Sequence, residues 1–241
     1  MSFNGKTAFI TGAGKGIGKA IALGLAAKGA NLVLADLNEE NVSQTAGEAE
    51  ALGVKVQTAI LDVSDEAAVH AAVDRAIETF GQLHILVNNA GIYRPKNDFM
   101  TVSSDVWKKK IDINILGTMY AAQAVLPHMV EKGYGRIVNI GSVAGVYGLS
   151  YFVDYSMTKG AVIAFTKALA KYVTDKGVTV NCVSPGSIDV SGGTSNVSEH
   201  SFMGRAGTPE ECANVVIFLA SDEASYVSGQ NYLVDGCRKK M

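Results

Sequence analysis

The chain has 241 residues, of which 48% are hydrophobic and 18% are charged, so it is long and apolar enough to bury a substantial core and is not a disordered protein. The formal net charge is −2 and no basic run is longer than residues 108–110 or 238–240, which excludes the basic surface of a nucleic-acid-binding protein. No apolar stretch is long enough to span a membrane and no apolar signal region precedes residue 7, so we expect a cytoplasmic protein without a membrane partner.

Short apolar segments alternate with helix-length segments along the chain. The short segments predict strands at residues 7–11, 31–35, 55–61, 85–88, 136–140, 178–183 and 231–234. Their content of valine, isoleucine and leucine is typical of parallel strands that helices cover on both faces. We therefore predict an α/β fold of the doubly wound Rossmann type with a seven-stranded parallel sheet. Because no linker or repeat divides the chain, residues 1–241 are expected to form a single domain.

Three helices have predicted N-caps. Ser64 and Ser103 each precede a helix-length segment, and Thr208 precedes Pro209 and two glutamates. Side-chain oxygens at such positions accept hydrogen bonds from the free N–H groups of the first turn. We therefore expect helices to begin directly after these residues.

A glycine-rich loop follows the first strand and precedes a helix predicted over residues 20–28. It has the spacing Gly12-x-x-x-Gly16-x-Gly18, with Lys15 and Ile17 between the glycines. Glycines at a helix N-terminus let the backbone approach a pyrophosphate, which the free amides and the helix dipole stabilise. A lone glycine loop is a weak signal, and its position between a strand and a helix strengthens it here.

Asp36 ends the second strand and indicates which dinucleotide binds. A carboxylate there accepts hydrogen bonds from both hydroxyls of a ribose and repels a 2′-phosphate. Lys15 favours a 2′-phosphate instead. However, the attraction of one mobile lysine for that phosphate is weaker than its repulsion by the carboxylate. The sequence therefore predicts NAD as the cofactor.

Two further segments follow predicted strands. Asp62 follows the third strand, where it either binds the adenine amino group or caps a turn. Asn89, Ala90 and Gly91 follow the fourth strand, at the carboxyl edge where such sheets bind ligands. These residues are therefore predicted to contact the cofactor.

Ser142, Tyr155 and Lys159 form the candidate catalytic group. A helix predicted over residues 151–175 puts Tyr155 and Lys159 on one face. A free tyrosine has a pKa near ~10, and lowering it to neutrality takes about 4 kcal/mol, which the lysine and a cationic cofactor ring would supply. A tyrosine and a lysine at this spacing are more often structural when they occur alone, so the interpretation depends on the accompanying motifs.

The cysteines and histidines predict no metal site. Cys182, Cys212 and Cys237 are widely separated and odd in number, which argues against disulfides and against a Cys-rich metal centre. The four histidines do not occur at metal-ligand spacing, and a structural role is expected for them. This expectation includes His200, although it is weakest there because His200 lies in a predicted active-site loop.

Over essentially its whole length the chain resembles the short-chain dehydrogenase/reductase family, in its short single-domain branch. The resemblance is carried by Thr11-Gly12-x-x-x-Gly16-x-Gly18, Asp62-Val63, Asn88-Asn89-Ala90-Gly91, Asn114, Ser142, Tyr155-x-x-x-Lys159, Pro185-Gly186, Tyr226 to Gln230 and Val234-Asp235-Gly236. It implies a single dinucleotide-binding and catalytic domain and a homotetramer.

The resemblance also implies the roles of the catalytic residues. Tyr155 would be the acid/base, Ser142 would hold the substrate oxygen, and Asn114 would anchor a water through which protons leave. Lys159 would lower the tyrosine pKa and bind the nicotinamide ribose. Further implied cofactor contacts are Val63, Ala90, Tyr155, Pro185, Gly186 and Ile188.

The segment after Pro185-Gly186 departs from the family. The family usually has a threonine that contacts the nicotinamide carboxamide, where this chain has Val190. A substrate lid is expected at about residues 187–207. Its central part is short and rich in glycine and hydroxyl side chains, so we expect it to be mobile before ligand binds. Cys237 replaces a glycine that is usual in the closing turn.

These residues favour an NAD-dependent enzyme that interconverts a secondary alcohol and its ketone. The substrate would be a polyol, a sugar derivative or a hydroxysteroid, because Tyr93, Arg94, Tyr147 and Tyr151 are polar groups near the expected pocket. The alternative is a 3-oxoacyl thioester reductase, which Asp36 disfavours because such relatives tend to use NADPH. A non-catalytic dinucleotide-binding regulator is the alternative from another class.

Overall fold

All the predicted strands are present in the computed structural model, which describes residues 1–96, 98–190 and 199–239. The strands are β1 (Thr7–Thr11), β2 (Asn31–Asp36), β3 (Val56–Ile60), β4 (Ile85–Asn88), β5 (Gly135–Ile140), β6 (Val178–Pro185) and β7 (Asn231–Val234). They form one sheet in the order β3-β2-β1-β4-β5-β6-β7, and every neighbouring pair is parallel. The predicted seven-stranded parallel sheet is confirmed.

Helices connect the strands and cover the sheet. They are α1 (Gly16–Ala26), α2 (Glu39–Glu50), α3 (Glu66–Phe80), α4 (Ser104–Ile111), α5 (Gly117–Glu131), α6 (Val143–Tyr147), α7 (Val153–Val173) and α8 (Pro209–Leu219). A π-helical turn, Asp112–Leu116, connects α4 to α5. This turn and α6 were not predicted from the sequence.

The core lies on both faces of the sheet because successive strand residues point in opposite directions. On one face, Ile10 and Leu34 pack with residues of α1 and α8. On the other face, Phe9 and Val33 pack with residues of α3 and α5. The continuous apolar strands of the sequence are therefore explained by burial on both sides, which confirms the doubly wound fold.

The order of the strands creates a crevice at β1. Ile10 pairs with Leu34 of β2 on one side and with Val87 of β4 on the other. The chain leaves β1 towards β2 and β3, then returns to β4, so the connections after β1 and β4 diverge. Such a switch point opens a ligand site at the carboxyl ends of the strands.

The predicted helix starts need two corrections. Ser103 and Thr208 are N-caps, and Thr208 forms a capping box with Glu211. The N-cap of α3 is Asp65 and not Ser64, since the Asp65 carboxylate accepts the N–H of Ala68 at 3.0 Å. The hydroxyl of Ser64 donates to Asp62 instead. Helix α1 begins at Gly16, inside the glycine loop, rather than at residue 20.

Two features are absent from the described residues. None of their helices is long and apolar enough to cross a membrane. Nor do they contain a group of three or more His, Cys, Asp or Glu side chains that could hold a metal ion. The absence of a metal site therefore stays a prediction for the whole chain.

Candidate active site

The glycine loop between β1 and α1 is shaped by contacts that exclude side chains. Gly12 and Gly16 have φ angles of 64° and 56°, which residues with a side chain seldom adopt. A Cβ atom on Gly18 would lie 2.0 Å from the carbonyl oxygen of Gly12. The first turn of α1 can therefore pack on the loop only if residue 18 is glycine.

Asn89 and Thr11 connect this loop to the turn after β4. The Asn89 Nδ2 group donates to the carbonyl oxygens of Thr11 and Gly12, at 3.1 and 2.8 Å. In the other direction, the Thr11 hydroxyl oxygen accepts the N–H groups of Asn89 and Ala90, each at 3.0 Å. The two loops therefore form one rigid unit, in which Thr11 has a bracing role that sequence reasoning missed.

Asp36, at the end of β2, faces the glycine loop. Its Oδ2 atom accepts the N–H of Gly14 at 2.8 Å, and its Oδ1 atom accepts the N–H of Asn38 at 3.0 Å. A Cβ atom on Gly14 would lie 3.0 Å from Asp36 Oδ2. The absence of a side chain at residue 14 therefore lets the carboxylate lie directly against the loop backbone.

Asp62 caps a turn, which is one of the two roles that the sequence left open, and contact with the adenine amino group stays a prediction. Its Oδ1 atom accepts the N–H and the hydroxyl of Ser64, at 2.9 and 2.7 Å, so it caps the turn after β3. It also lines the same cleft as the glycine loop. One carboxyl oxygen therefore holds the turn while the residue borders the cleft.

A cleft of about 590 Å³, here named the glycine-loop cleft, brings most predicted cofactor residues together. Its lining contains the predicted residues Gly12, Lys15, Gly16, Ile17, Asp36, Asp62, Val63, Asn89, Ala90 and Gly91. Leu37, Leu61, Ile92, Ile113 and Val190 also line it and were not predicted. Gly18 is buried beneath the loop and does not line the cleft.

An adjoining cavity of about 410 Å³, here named the Tyr155 cavity, contains the candidate catalytic group. The predicted residues Ser142, Tyr155, Lys159, Pro185, Gly186 and Ile188 line it. Ile17, Asn89, Gly91, Ile92 and Val190 line both spaces. The two spaces are therefore continuous at the carboxyl ends of the strands.

Ser142 and Tyr155 are held together by the start of two helices. Ser142 is the N-cap of α6, and its oxygen accepts the N–H of Ala144 at 3.1 Å. Burial raises the pKa of Tyr155, and a hydrogen bond with Ser142 opposes part of that rise. Among the protein's own groups, desolvation of the phenolate outweighs the interaction with Ser142. The predicted lowering also depends on the cationic cofactor ring and stays a prediction.

Lys159 lies beside the tyrosine ring but not at its hydroxyl. Its ammonium donates to the carbonyl oxygen of Ile140 at 2.7 Å and lies 5.9 Å from the centre of the Tyr155 ring. Burial lowers the pKa of Lys159 to about 8. A Cβ atom on Gly91 would lie 3.4 Å from the ammonium, so the glycine turn after β4 packs against this cation.

Asn114 lies in the π-helical turn and is fully buried. Its Oδ1 atom accepts the N–H of Ile92 at 2.8 Å. Its Nδ2 group donates to the Ile92 carbonyl oxygen at 2.9 Å and to the Thr158 hydroxyl at 3.0 Å. The asparagine therefore connects the loop after β4 to α7, and it does so through the extra residue that a π-turn inserts into a helix.

Comparison with known proteins identifies the family. A family model described as enoyl-(acyl carrier protein) reductase matches residues 12–237. A 3-oxoacyl-[acyl-carrier-protein] reductase of Thermotoga maritima is 38% identical over 244 residues, covering 98% of this chain and 98% of that protein. Cyclohexanol dehydrogenase of an Acinetobacter species is 40% identical over 242 residues, covering 97% of this chain and 95% of that protein. The chain belongs to the short-chain dehydrogenase/reductase family.

A solved structure agrees with this assignment. The crystal structure of NAD⁺-bound xylitol dehydrogenase matches with a TM-score of 0.91 at 32% identity, covering 98% of this chain and 100% of that chain. Membership of the short-chain dehydrogenase/reductase family makes this chain an oxidoreductase. The sequence resemblance and the predicted enzyme class are therefore confirmed.

Aromatic side chains form one wall of the Tyr155 cavity in this short-chain dehydrogenase/reductase. The Tyr93 ring centre lies 6.2 Å from that of Tyr155 and 5.8 Å from that of Phe152, both with edge-to-face geometry. Tyr93 and Tyr151 line the cavity as predicted. Tyr147 and Arg94 do not belong to the lining, so half of the predicted polar groups lie elsewhere.

The second half of the predicted lid pairs with the C-terminal tail. Ser201 forms an antiparallel bridge with Arg238, and the N–H of Phe202 donates to the carbonyl oxygen of Cys237 at 2.9 Å. Cys237 has a φ angle of 58°, which explains why glycine is usual at this position. Residues 191–198, the central part of the lid, lie outside the described residues.

His200 and Arg238 both line the Tyr155 cavity. The sequence indicated no function for residues 238–240 and favoured a structural role for all four histidines, least firmly for His200. Arg238 was missed because the pairing of the tail with the lid joins segments that are far apart in sequence. The neighbouring motif at 234–236 predicted the turn but not the direction of the chain after it.

Proposed function

We propose that this short-chain dehydrogenase/reductase interconverts a secondary alcohol and its ketone with NAD(H), within a single domain. The observation that carries the proposal is the convergence of Ser142, Tyr155 and the buried ammonium of Lys159 on one cavity, where that ammonium lies 5.9 Å from the centre of the Tyr155 ring. This group lies in a cavity continuous with the glycine-loop cleft. A site for a dinucleotide is thus directly connected to groups that can transfer a proton.

The residues of the glycine-loop cleft fit a dinucleotide. Gly12 and Gly16 line the cleft at the N-terminus of α1, where free backbone N–H groups stabilise a pyrophosphate. Asp36 presents a carboxylate at the cleft, which suits ribose hydroxyls and opposes a 2′-phosphate. When bound, the nicotinamide group supplies or accepts the hydride. Pro185, Gly186 and Ile188 border the Tyr155 cavity, where they would hold that ring.

The chain's own groups supply the proton chemistry. In ketone reduction, the Tyr155 hydroxyl donates its proton to the carbonyl oxygen, which becomes the alcohol oxygen, while Ser142 hydrogen-bonds the same oxygen. In alcohol oxidation the proton moves the other way, onto the tyrosine oxygen. The phenolate of Tyr155 is the base in oxidation and the product of reduction, and Lys159 stabilises it by its charge. Asn114 holds the loop after β4 in place and would anchor the water through which protons leave.

A second candidate is reduction of a 3-oxoacyl thioester. The reductase of Thermotoga maritima described above supports it as strongly as the Acinetobacter dehydrogenase supports the first. Relatives that serve acyl carrier protein place arginines where this chain has Gly133 and Lys176. These two residues precede β5 and β6, at the opposite end of the sheet from Ser142. Asp36 and the absence of these arginines favour the alcohol dehydrogenase.

We further propose a homotetramer with a substrate lid at about residues 187–207. Apolar side chains on α5 and α7 are exposed in the single chain, among them Met119, Val153 and Met157. Leu233 on β7 is also exposed. A pairing of α5 and α7 with a second copy, and of β7 with a third, would cover these residues. Mass measurement by light scattering tests the assembly, and a monomer would contradict it.

Steady-state kinetics test the function. Polyols, sugars, cyclic alcohols, steroids and 3-oxoacyl thioesters are offered with both NAD(H) and NADP(H), and formation or loss of NADH absorbance is measured. We expect the highest kcat/KM for an alcohol with NAD⁺. A kcat/KM at least ten times higher for the thioester would favour the second candidate. Tight NADH binding without turnover of any substrate would indicate a non-catalytic dinucleotide-binding regulator.

A further inference from the structure

The charged side chains that line the Tyr155 cavity indicate which kind of substrate it accepts. Among the described residues that line it, the ionisable side chains other than tyrosines are Lys159, His200 and Arg238, and none is a carboxylate. The ammonium of Lys159 already donates to a backbone carbonyl. A cavity lined by one sign of charge concentrates ligands of the opposite sign.

Backbone pairing fixes where Arg238 and His200 lie. The N–H of Lys239 donates to the carbonyl oxygen of His200 at 2.9 Å, and the N–H of Phe202 donates to that of Cys237 at 2.9 Å. Residue 238 therefore lies between two backbone hydrogen bonds, opposite Ser201. The next residue, Lys239, is exposed, and its ammonium lies 5.6 Å from the centre of the Phe202 ring.

We propose that the substrate carries an anionic oxyacid group, a carboxylate or a phosphate, and that Arg238 binds it with His200 beside it. This inference rests on the proposed function, and it specifies the substrate class of the same site. A guanidinium presents paired N–H groups that match the two oxygens of such an anion. The reacting carbon would lie at Ser142 and Tyr155 while the anion lies at the junction of tail and lid.

The experiment compares substrates with and without an anionic group. Cyclohexanol is compared with 3-hydroxycyclohexanecarboxylate, and a 3-oxoacyl coenzyme A thioester with the phosphate-free N-acetylcysteamine thioester. The variants are Arg238→Gln and its neighbour Lys239→Gln, which removes an equal charge outside the cavity. We expect Arg238→Gln to lower kcat/KM for the anionic member of one pair by about 30-fold, since it removes one partner of a charged pair. Lys239→Gln should lower it by less than about 3-fold, as an exposed charge does.

The pair that responds identifies the source of the anion, carboxylate or phosphate. An equal loss on charged and neutral substrates, or no loss in Arg238→Gln, would overturn the inference while leaving the alcohol dehydrogenase intact. Binding supplies a readout that is independent of turnover. In the presence of NADH, cyclohexanecarboxylate should bind more tightly than cyclohexanecarboxamide in a calorimetric titration, and Arg238→Gln should abolish the difference. Equal binding of the two would also contradict the inference.

A separate observation concerns a buried ion pair next to the catalytic tyrosine. Lys110 is fully buried, and its ammonium lies 2.7 Å from the Asp154 Oδ2 atom. The same ammonium donates to the carbonyl oxygen of Pro95 at 3.1 Å. Asp154 in turn accepts the N–H of Tyr155 at 2.7 Å. One pair of charges thus connects the loop after β4 to the first turn of α7.

Stability alone does not explain this pair. Burial of two charges removes their hydration, and a well-packed apolar pair often gives equal or greater stability. The pair fixes the distance between the loop after β4 and the first turn of α7. The loop that ends at Pro95 carries Tyr93, and the Tyr93 ring contacts the Tyr155 ring of α7. We propose that Lys110 and Asp154 are positioning residues, which hold the aromatic wall and the catalytic tyrosine in register.

The test is the double variant Lys110→Met/Asp154→Asn, which removes both charges together, because either single variant would leave one buried charge unpaired. The control Lys6→Met/Asp222→Asn makes the same substitutions in an ion pair of the same 2.7 Å length that lies before β1, at the other end of the sheet. For Lys110→Met/Asp154→Asn we expect a rise of about tenfold in substrate KM, from misplacement of the wall. Affinity for NADH should change by less than about twofold, and both constants should be unchanged in the control. Unchanged substrate KM, or a parallel loss of NADH affinity, would overturn the positioning role.

Discussion

The glycine-loop cleft and the Tyr155 cavity adjoin each other but are built in different ways. The cleft is bordered by strand ends and a glycine loop, and its shape is set by backbone contacts such as those of Gly18 and Asn89. The cavity combines side chains from segments far apart in the sequence, from Tyr93 to Arg238. The difference indicates that the cofactor end is intolerant of added atoms, while the substrate end depends on the placement of individual groups.

The largest expected effect is at the catalytic group. Tyr155→Phe removes one hydroxyl with little change in volume, so turnover should fall by about 10²-fold or more, the scale of general acid–base catalysis. NADH affinity and melting temperature should be unchanged. Tyr172→Phe, on the exposed side of the same helix, serves as the control for loss of a tyrosine hydroxyl. Near-full activity of Tyr155→Phe would show that another group transfers the proton.

A smaller but global effect is expected at the cofactor end. Gly18→Ala adds a Cβ atom 2.0 Å from the Gly12 carbonyl oxygen, so the loop must move. We expect a destabilisation of about 1–3 kcal/mol, as for overpacked sites, together with loss of NADH affinity. Gly47→Ala in α2 adds a Cβ atom with no atom within 4 Å, and it should stabilise the protein by about 0.5–1 kcal/mol. Equal denaturation midpoints for the two variants would contradict the backbone argument.

Asp36→Ala tests whether a side chain in the cleft determines the choice of cofactor. Loss of the carboxylate removes the repulsion of a 2′-phosphate, so the ratio of kcat/KM for NAD⁺ over NADP⁺ should fall by about tenfold or more. Asp62→Ala removes a carboxylate from the same cleft and should weaken both cofactors to a similar extent. A better kcat/KM with NADPH in the unmodified protein would refute the assignment of Asp36.

The smallest effect is a pH dependence of stability at Lys159. Its pKa is about 8 in the folded protein and near ~10.4 when unfolded, so the unfolded state holds more protons between these values. The contribution of Lys159 to the free energy of unfolding therefore rises as the pH increases from 8 towards 10. Lys159→Met should be more stable than the parent at pH 7, and the difference should shrink by about 1 kcal/mol per pH unit in that window. Urea unfolding at pH 7, 8.5 and 9.5 measures it, and a constant difference would show that the lysine is not desolvated.

The fold could be predicted because its determinants are local. All the strands appear in the apolar pattern, and the turn at Gly12 requires glycine whatever the rest of the chain does. The turn cap by Asp62 was predicted as well, since it follows from the position of this residue between β3 and a turn. For these residues, neighbours in sequence are also neighbours in space.

The substrate end could be predicted only in part. Tyr93 and Tyr151 were correctly predicted to line the cavity because they are close in sequence to recognised motifs. Arg94 and Tyr147 were predicted there for the same reason, but the chain changes direction within a few loop residues, so they do not line it. The π-turn at Asn114 has no clear sequence signal. Arg238 and the Lys110–Asp154 pair depend on long-range packing, and the raised pKa of Tyr155 depends on burial that the sequence does not display.

Cys237 offers a site for selective chemical labelling next to the Tyr155 cavity. Cys182 and Cys212 are buried, and burial raises the pKa of both thiols, that of Cys212 to about 12. Cys237 is exposed and directly precedes Arg238. A mild alkylating reagent should therefore label one position among the three, in the hairpin of tail and lid. The rate of that labelling, followed as ligands are added, would report how this hairpin responds to occupancy of the site without any engineered substitution.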